Sequence, residues 1–403
     1  MGGSISPNGQ YLAGGDQSGR GFIYNTVTGE NKFFFDPALE EGDAQKAGRV
    51  YSVNDAGVGV GYLAYHATKF DFATGKYEQL LDEGDDEMSS ERFINSDGSF
   101  GCGFAYDKSY ARTPYVTVNG ERQILPQATD EWMGYETMGF AAQGASDDGS
   151  VVYGLAVDKY STSPLVIWVR NKDNSTYSLV PVSKRFYDST YELTNPQDYQ
   201  QFAGRAISAN GRWIAVDILP KDYTQGGRVV RYDVLNDVVE EIDCADASGV
   251  NSYLATGVSN DGTIVGYVEN QQSTTRTSFI VKGGESVAQY MADVYEDVPE
   301  ISKMELNGMN TPMGISPDGR YIVGFGYVDM DETHLCFGTY WIDTQAESDG
   351  VKDVAKESEP VQNRVVGTYS LDGKKVNVST VDSRKGVFID KLANGQFVKR
   401  VQR

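Results

Sequence analysis

Short apolar runs of three to five residues alternate along this chain with polar, glycine-bearing turns, and long stretches of helical periodicity are scarce. One strand–turn–strand phrase keeps returning. Residues 257–267 read GVSNDGTIVGY, 314–325 GISPDGRYIVGF, 144–155 GASDDGSVVYGL and 206–216 AISANGRWIAV. Aligned on the turn, the phrase is Ser or Asn, any residue, then Asp, Asn or Ala, then Gly. It begins at Ser6, Asn54, Asn95, Ser146, Ser208, Ser259 and Ser316, with an eighth copy at Ser370, and consecutive copies lie 41 to 62 residues apart. Asn-Gly and Asp-Gly pairs accept positive φ, as a two-residue hairpin turn requires, and the leading Ser or Asn has a side chain able to bond the turn backbone.

The second strand of each phrase ends near a glycine, and a third strand carrying an aromatic follows: GFIYN, KFDFA, PYVTV, LVIWV, VVRYD, SFIVK and TYWID. In most copies a further turn and a fourth strand, such as KFFF or YEQLL, complete the unit. Four antiparallel strands at this period predict an all-β chain, a β-propeller of four-stranded blades, rather than a β-helix or a sandwich. Seven blades are expected over residues 1–343. Residues 344–363 are charged, with few apolar positions, and read as a linker. Residues 364–403 are expected to form a short C-terminal β-module, the alternative being an eighth blade.

SNDGTIVGY and NDAGVGVGY resemble the HAF-type extracellular repeat, and SPDGRYIVGF and SPNGQYLAGG resemble the TolB-type propeller repeat. Such motifs mark a blade and imply no substrate. In the tail, Tyr369, Asp372, Gly373, Lys374, Lys385, Gly386, Gly395 and the strand QFVKRV resemble the C-terminal modules of secreted and surface proteins of Bacteroidetes. That resemblance implies a secreted or cell-surface protein. The chain opens inside a copy of the repeat with no signal peptide, so a trimmed leader is expected.

A formal net charge of −22 disfavours nucleic acid and anionic membranes as partners, and no apolar run is long enough to span a membrane. Cys102, Cys244 and Cys336 lack metal-type spacing, and Cys102 and Cys336 read as buried free thiols. The two histidines, His66 and His334, belong to no nucleophile or metal constellation, and no phosphate loop is present. No metal and no cofactor are expected.

The extra length falls where fourth strands cross to the next blade's inner strand, in inserts at 36–49, 82–91, 126–142, 183–203 and 286–312, rich in Tyr, Asp and Glu. Five such loops converging on one face give a ligand platform, to which Trp132 and Tyr135 belong, or a solvated acidic rim. Three residues before each turn phrase, the inner strand is expected to enter the central channel, at Gly3, Tyr51, Arg92, Gln143, Arg205, Thr256 and Met313. Arg92 and Arg205, with Tyr51, Gln143 and Arg49 nearby, form the candidate ligand site, because guanidinium groups hold a carboxylate or sulfate bidentately. Two functional readings remain open: a binding or scaffold module for a glycan, peptide or protein, and a carbohydrate-active hydrolase or lyase using Asp and Glu of the same face.

Overall fold

The computed structural model describes residues 2–16, 18–35, 47–80, 88–128, 137–158, 165–172, 176–180, 199–220, 226–331, 334–345, 365–370, 375–376, 386–392 and 397–402. Seven antiparallel blades follow one another in sequence. The first is β1 (Gly2–Ile5), β2 (Tyr11–Gly15), β3 (Gly21–Asn25) and β4 (Asn31–Phe34). The second is β5 (Gly48–Val53), β6 (Val58–Leu63), β7 (His66–Asp71) and β8 (Lys76–Gln79). Blade 3 comprises β9 (Met88–Ile94), β10 (Phe100–Tyr106), β11 (Arg112–Val118) and β12 (Glu121–Ile124). Blade 4 comprises β13 (Thr137–Ala145), β14 (Val151–Asp158), β15 (Leu165–Arg170) and β16 (Tyr177–Val180). Blade 5 is β17 (Tyr199–Ile207), β18 (Trp213–Pro220), β19 (Arg228–Asp233) and β20 (Val238–Glu241). Blade 6 is β21 (Asn251–Val258), β22 (Ile264–Asn270), β23 (Arg276–Val281) and β24 (Gln289–Tyr290). Blade 7 has three strands among the described residues: β25 (Asn310–Ile315), β26 (Tyr321–Asp331) and β27 (His334–Asp343).

The recurring phrase is the turn between the first two strands of each blade, but it is not a two-residue hairpin. Three residues separate the paired ends in blades 2 and 6, as between Ser259 and Thr263, and four in the others, as between Ser6 and Tyr11. Only the glycine takes positive φ, between +65° and +88° at Gly9, Gly57, Gly98, Gly149, Gly211, Gly262 and Gly319. Its N–H donates to the carbonyl of the leading Ser or Asn. The leading side chain closes the loop: Ser6 Oγ accepts the N–H of Tyr11 at 3.0 Å and donates to Asn8 Oδ1 at 2.9 Å. Ser208, Ser316 and Asn95 accept the corresponding N–H groups in their blades. These Ser and Asn side chains are buried, so the hydrogen bonds are needed as much as they are stabilising. The turns also meet across blades. Asp147 accepts the N–H and hydroxyl of Ser96, and Asn260 accepts the N–H of Asn210.

Apolar side chains fill the space between neighbouring blades. Ile23 and Phe34 of blade 1 pack with Val50, Leu63 and Phe70 of blade 2, and Cys102 and Val116 of blade 3 pack with Phe140 and Trp168 of blade 4. Cys102 is a buried free thiol whose pKa burial raises. Blade 7 closes the ring on blade 1 without exchanged strands among the described residues: Val323 packs on Ile5 and Leu12. The 286–312 insert folds into β24 and two helices, α1 (Met291–Val294) and α2 (Pro299–Leu306), whose Met291 and Ile301 are buried against Ile322 and Ile342. Those two side chains anchor the insert to the core.

By compactness the chain divides into residues 1–345 and 346–403. In the second unit, β28 (Val365–Ser370), β29 (Lys375–Val376), β30 (Gly386–Leu392) and β31 (Phe397–Gln402) form a sheet in the order β29-β28-β30-β31.

Candidate functional site

Every inner strand carries a β-bulge, and all seven fall at one place in the phrase. In blade 3, Glu91 pairs with Gly103 and Phe93 with Cys102, which leaves Arg92 as the extra residue. The same count leaves Gly3, Tyr51 and Gln143 unpaired in blades 1, 2 and 4. It leaves Arg205, Thr256 and Met313 unpaired in blades 5, 6 and 7. A bulge bends its strand and re-aims one side chain. Here it aims one residue per blade at the axis. All seven line a single cavity of about 680 Å³.

The bulge also accounts for the glycine that ends the phrase. A Cβ at Gly61, Gly103, Gly154 or Gly266 would overlap the carbonyl oxygen of Arg49, Ser90, Ala141 or Leu254 respectively. Each of these carbonyls lies just before a bulge. The strands approach so closely there that a side chain has no room.

Four arginines line the cavity, Arg49, Arg92, Arg205 and Arg276, and Asp147 is its one lining carboxylate among the described residues. The four differ in how their charge is met. Arg205 Nε lies 2.5 Å from Oδ2 of Asp217, which is fully buried and accepts the Ala255 N–H at 2.7 Å through its other oxygen. Asp217 raises the Arg205 pKa. Arg276 pairs with Glu269 at 2.8 Å and lies 4.6 Å from the centre of the Tyr267 ring. Arg49 and Arg92 instead share an aromatic ring. Their guanidinium carbons lie 5.4 Å and 3.9 Å from the centre of Tyr51. Arg92 also lies 5.2 Å from Phe104, whose ring Arg112 approaches at 5.3 Å. A ladder of alternating cations and rings therefore runs from the cavity over blade 3, ending where Arg112 lies 5.1 Å from Tyr106.

Among the described residues no carboxylate pairs with Arg49, Arg92 or Arg112. Ring faces attract a guanidinium by about 0.5–2 kcal/mol but leave its charge in place and its N–H fork available. The Arg92 Nε is buried and has no hydrogen-bond partner. Burial lowers the Arg92 pKa, and Arg49 and Arg112 add to that effect. An arginine does not shed its proton in a protein, so the cost is relieved when an anion arrives.

The structure thus brings Arg49, Tyr51, Arg92, Gln143 and Arg205 together, with a change of pairing: Arg205 belongs to Asp217, and the two cations that share a ring are Arg49 and Arg92. Trp132 and Tyr135 lie outside the described residues, as do 36–46, 82–87 and 183–198 of the inserts. Sequence reasoning missed Arg112 and Arg276. Both begin a third strand, and each makes a parallel bridge to the next blade, Arg112 to Gly139 and Arg276 to Met309. That repeated position was the available signal. No group of three or more acidic, His or Cys side chains among the described residues is arranged to hold a metal ion.

No protein-family model matches the chain, and no curated protein sequence does. Among solved structures, an oligogalacturonate lyase in complex with manganese is 11% identical with a TM-score of 0.50, over 85% of this chain and 88% of that one. The oligogalacturonate lyase of Vibrio parahaemolyticus is 13% identical with a TM-score of 0.51, over the same shares of the two chains. The likeness is one of fold, a β-propeller. TolB from Acinetobacter baumannii is 13% identical with a TM-score of 0.40 over 72% of this chain, and the match spans 64% of its length, under two thirds.

Proposed function

We propose that this propeller is a binding module, secreted or at the cell surface, whose central cavity takes an anionic group of its ligand, with an acidic glycan as the ligand class. The supporting observation is the Arg49–Tyr51–Arg92 arrangement: two cations held in place by a ring and met by no carboxylate among the described residues, in a chain of net charge −22. Carboxylate and sulfate groups match a guanidinium fork, and each charged hydrogen bond formed there contributes about 1.5–3 kcal/mol. Gln143, Thr256 and Tyr267 on the cavity wall supply polar contacts suited to sugar hydroxyls. A peptide strand is less well served, because the bulges interrupt every inner strand at this level. The surface location rests on the resemblance of the tail to the modules of secreted proteins. No helix among the described residues is long and apolar enough to cross a membrane.

The experiment is titration of the full chain with uronic-acid oligomers, their neutral counterparts and an acidic peptide. Binding is expected for the uronates alone, weakened about tenfold or more by Arg92→Ala and further by Arg49→Ala. Equal affinity for neutral oligomers, or affinity unchanged in the double variant, sinks the proposal, and preference for the acidic peptide replaces the ligand class. The enzymatic reading relies on Asp and Glu residues of the inserts. Turnover of a glycan that disappears when one of these is mutated would put it first.

A further inference from the structure

The blades share one register, so equivalent positions can be compared between them. In blade 5 the bulged residue is Arg205, and its counter-ion Asp217 directly follows Val216, the residue paired with Gly204 just before the bulge. In blade 3 the bulged residue is Arg92, Gly103 pairs with Glu91 just before it, and Phe104 follows. Phe104 therefore stands where blade 5 has a carboxylate. The second comparison is with blade 6. Arg276 opens its third strand and lies directly across from Glu269, which pairs with it. Arg112 opens the third strand of blade 3 and lies directly across from Tyr106. Tyr106 is the third residue after Gly103, as Glu269 is the third after Gly266. At both places where another blade neutralises its arginine, blade 3 has a ring.

Those rings hold the cations without cancelling them. Arg92 and Arg112 both lie close to Phe104, at 5.2 Å and 5.3 Å, so their guanidinium carbons are no farther apart than those two distances together. Tyr106 holds Arg112 from a ring centred 5.6 Å from that of Phe104. The nearby acids are engaged elsewhere. Asp107 closes its own turn, its Oδ1 accepting the N–H and hydroxyl of Ser109 and the N–H of Ala111. Asp147 accepts from Ser96. Arg92 keeps a buried Nε with no partner, while Arg112 is half-buried outside the cavity lining, where β10 turns into β11.

We propose that Arg112 is a second anion subsite, so that the protein takes a ligand with at least two linked anionic groups, one at Arg49 and Arg92 in the cavity and the next at Arg112. This rests on the reading of the cavity as an anion site and adds to it a requirement for ligand length. Once the first group is seated, the second binds at the effective concentration its tether sets, and affinity rises without a second encounter. A single uronate reaches only the cavity, and a neutral neighbouring sugar gains nothing from the charge of Arg112.

The test is calorimetric titration of the full chain with a uronic-acid monomer, dimer and trimer, and with the dimer and trimer methyl-esterified at all but one carboxyl. Affinity should rise about tenfold or more from the monomer to the charged oligomers, and the esterified ones should bind as the monomer does. Arg112→Gln should bring the charged oligomers down toward the monomer, whereas Arg92→Ala should weaken every uronate. Tyr106→Glu, which gives Arg112 the counter-ion that Arg276 has, should also remove the gain with length. A gain that survives both Arg112→Gln and Tyr106→Glu, or that the esterified oligomers share, overturns the second subsite. Equal affinity for monomer and oligomers, still dependent on Arg92, overturns it too and leaves the cavity reading standing. No binding of any uronate overturns both.

Discussion

Glu91 precedes the bulged Arg92 and faces away from the cavity, buried to 1% exposure, with Oε2 unpaired. Burial pushes its pKa up to about 7, against the opposing pull of Tyr115, Thr117 and Arg122. A carboxyl whose pKa is higher folded than unfolded holds its proton more tightly in the native state. Stability is therefore greatest below the unfolded value and falls as pH rises through about 7. The full loss is on the order of 3 kcal/mol, from 1.36 kcal/mol per unit of pKa. Glu91→Gln should be more stable than the parent in urea unfolding at pH 8, by up to about that amount, and should lose the advantage near pH 5. An equal difference at both pH values would show that Glu91 is not the titrating group. Nothing in the sequence marked this residue, one of 57 acids. The same holds for Asp217, whose bond to Arg205 crosses from the first to the second strand of blade 5 at a separation no motif records. Arg92 was legible because its distance from the turn is shared by all seven blades.

Glycine behaves differently at its two sites within a blade. At Gly262 and Gly319 the requirement is conformational, with φ of +88° and +76°, and Gly→Val there should cost about 1–3 kcal/mol in a denaturant titration. At Gly266 the requirement is space, because an added Cβ meets the Leu254 carbonyl and the Phe279 ring. Gly266→Ala should cost about 1–3 kcal/mol by overpacking and should weaken ligand binding as well, since the crowded carbonyl belongs to the residue two before the bulged Thr256. A loss of stability with binding intact would uncouple the strand glycine from the cavity. Blade 5 carries Val216 at the equivalent position, fully buried between blades 4 and 5, so the constraint is relaxed there. The turn itself was legible as a turn and misread in length. Dipeptide chemistry fixes where φ turns positive, whereas the loop length depends on a buried hydroxyl or amide replacing a backbone acceptor, as Ser6 does for Tyr11.

Seven copies of one supersecondary unit make the ring strongly determined, and the fold was readable from the period alone. Its closure was not, because the contact of Val323 with Ile5 and Leu12 joins parts of the sequence more than 300 residues apart. Among the described residues the ring is closed by side-chain packing between blades 7 and 1, and it is held there by what those two blades contribute. The residues beyond it form a compact unit of their own, with a sheet that pairs only with itself among the described strands. We therefore propose residues 364–403 as a separate module after a linker rather than an eighth blade. The prediction is that a chain ending at Gln345 melts cooperatively, within a few degrees of the full chain, and binds the uronate oligomers with unchanged affinity. An eighth blade would supply interfaces to both of its neighbours, and losing them would abolish the cooperative transition together with the binding.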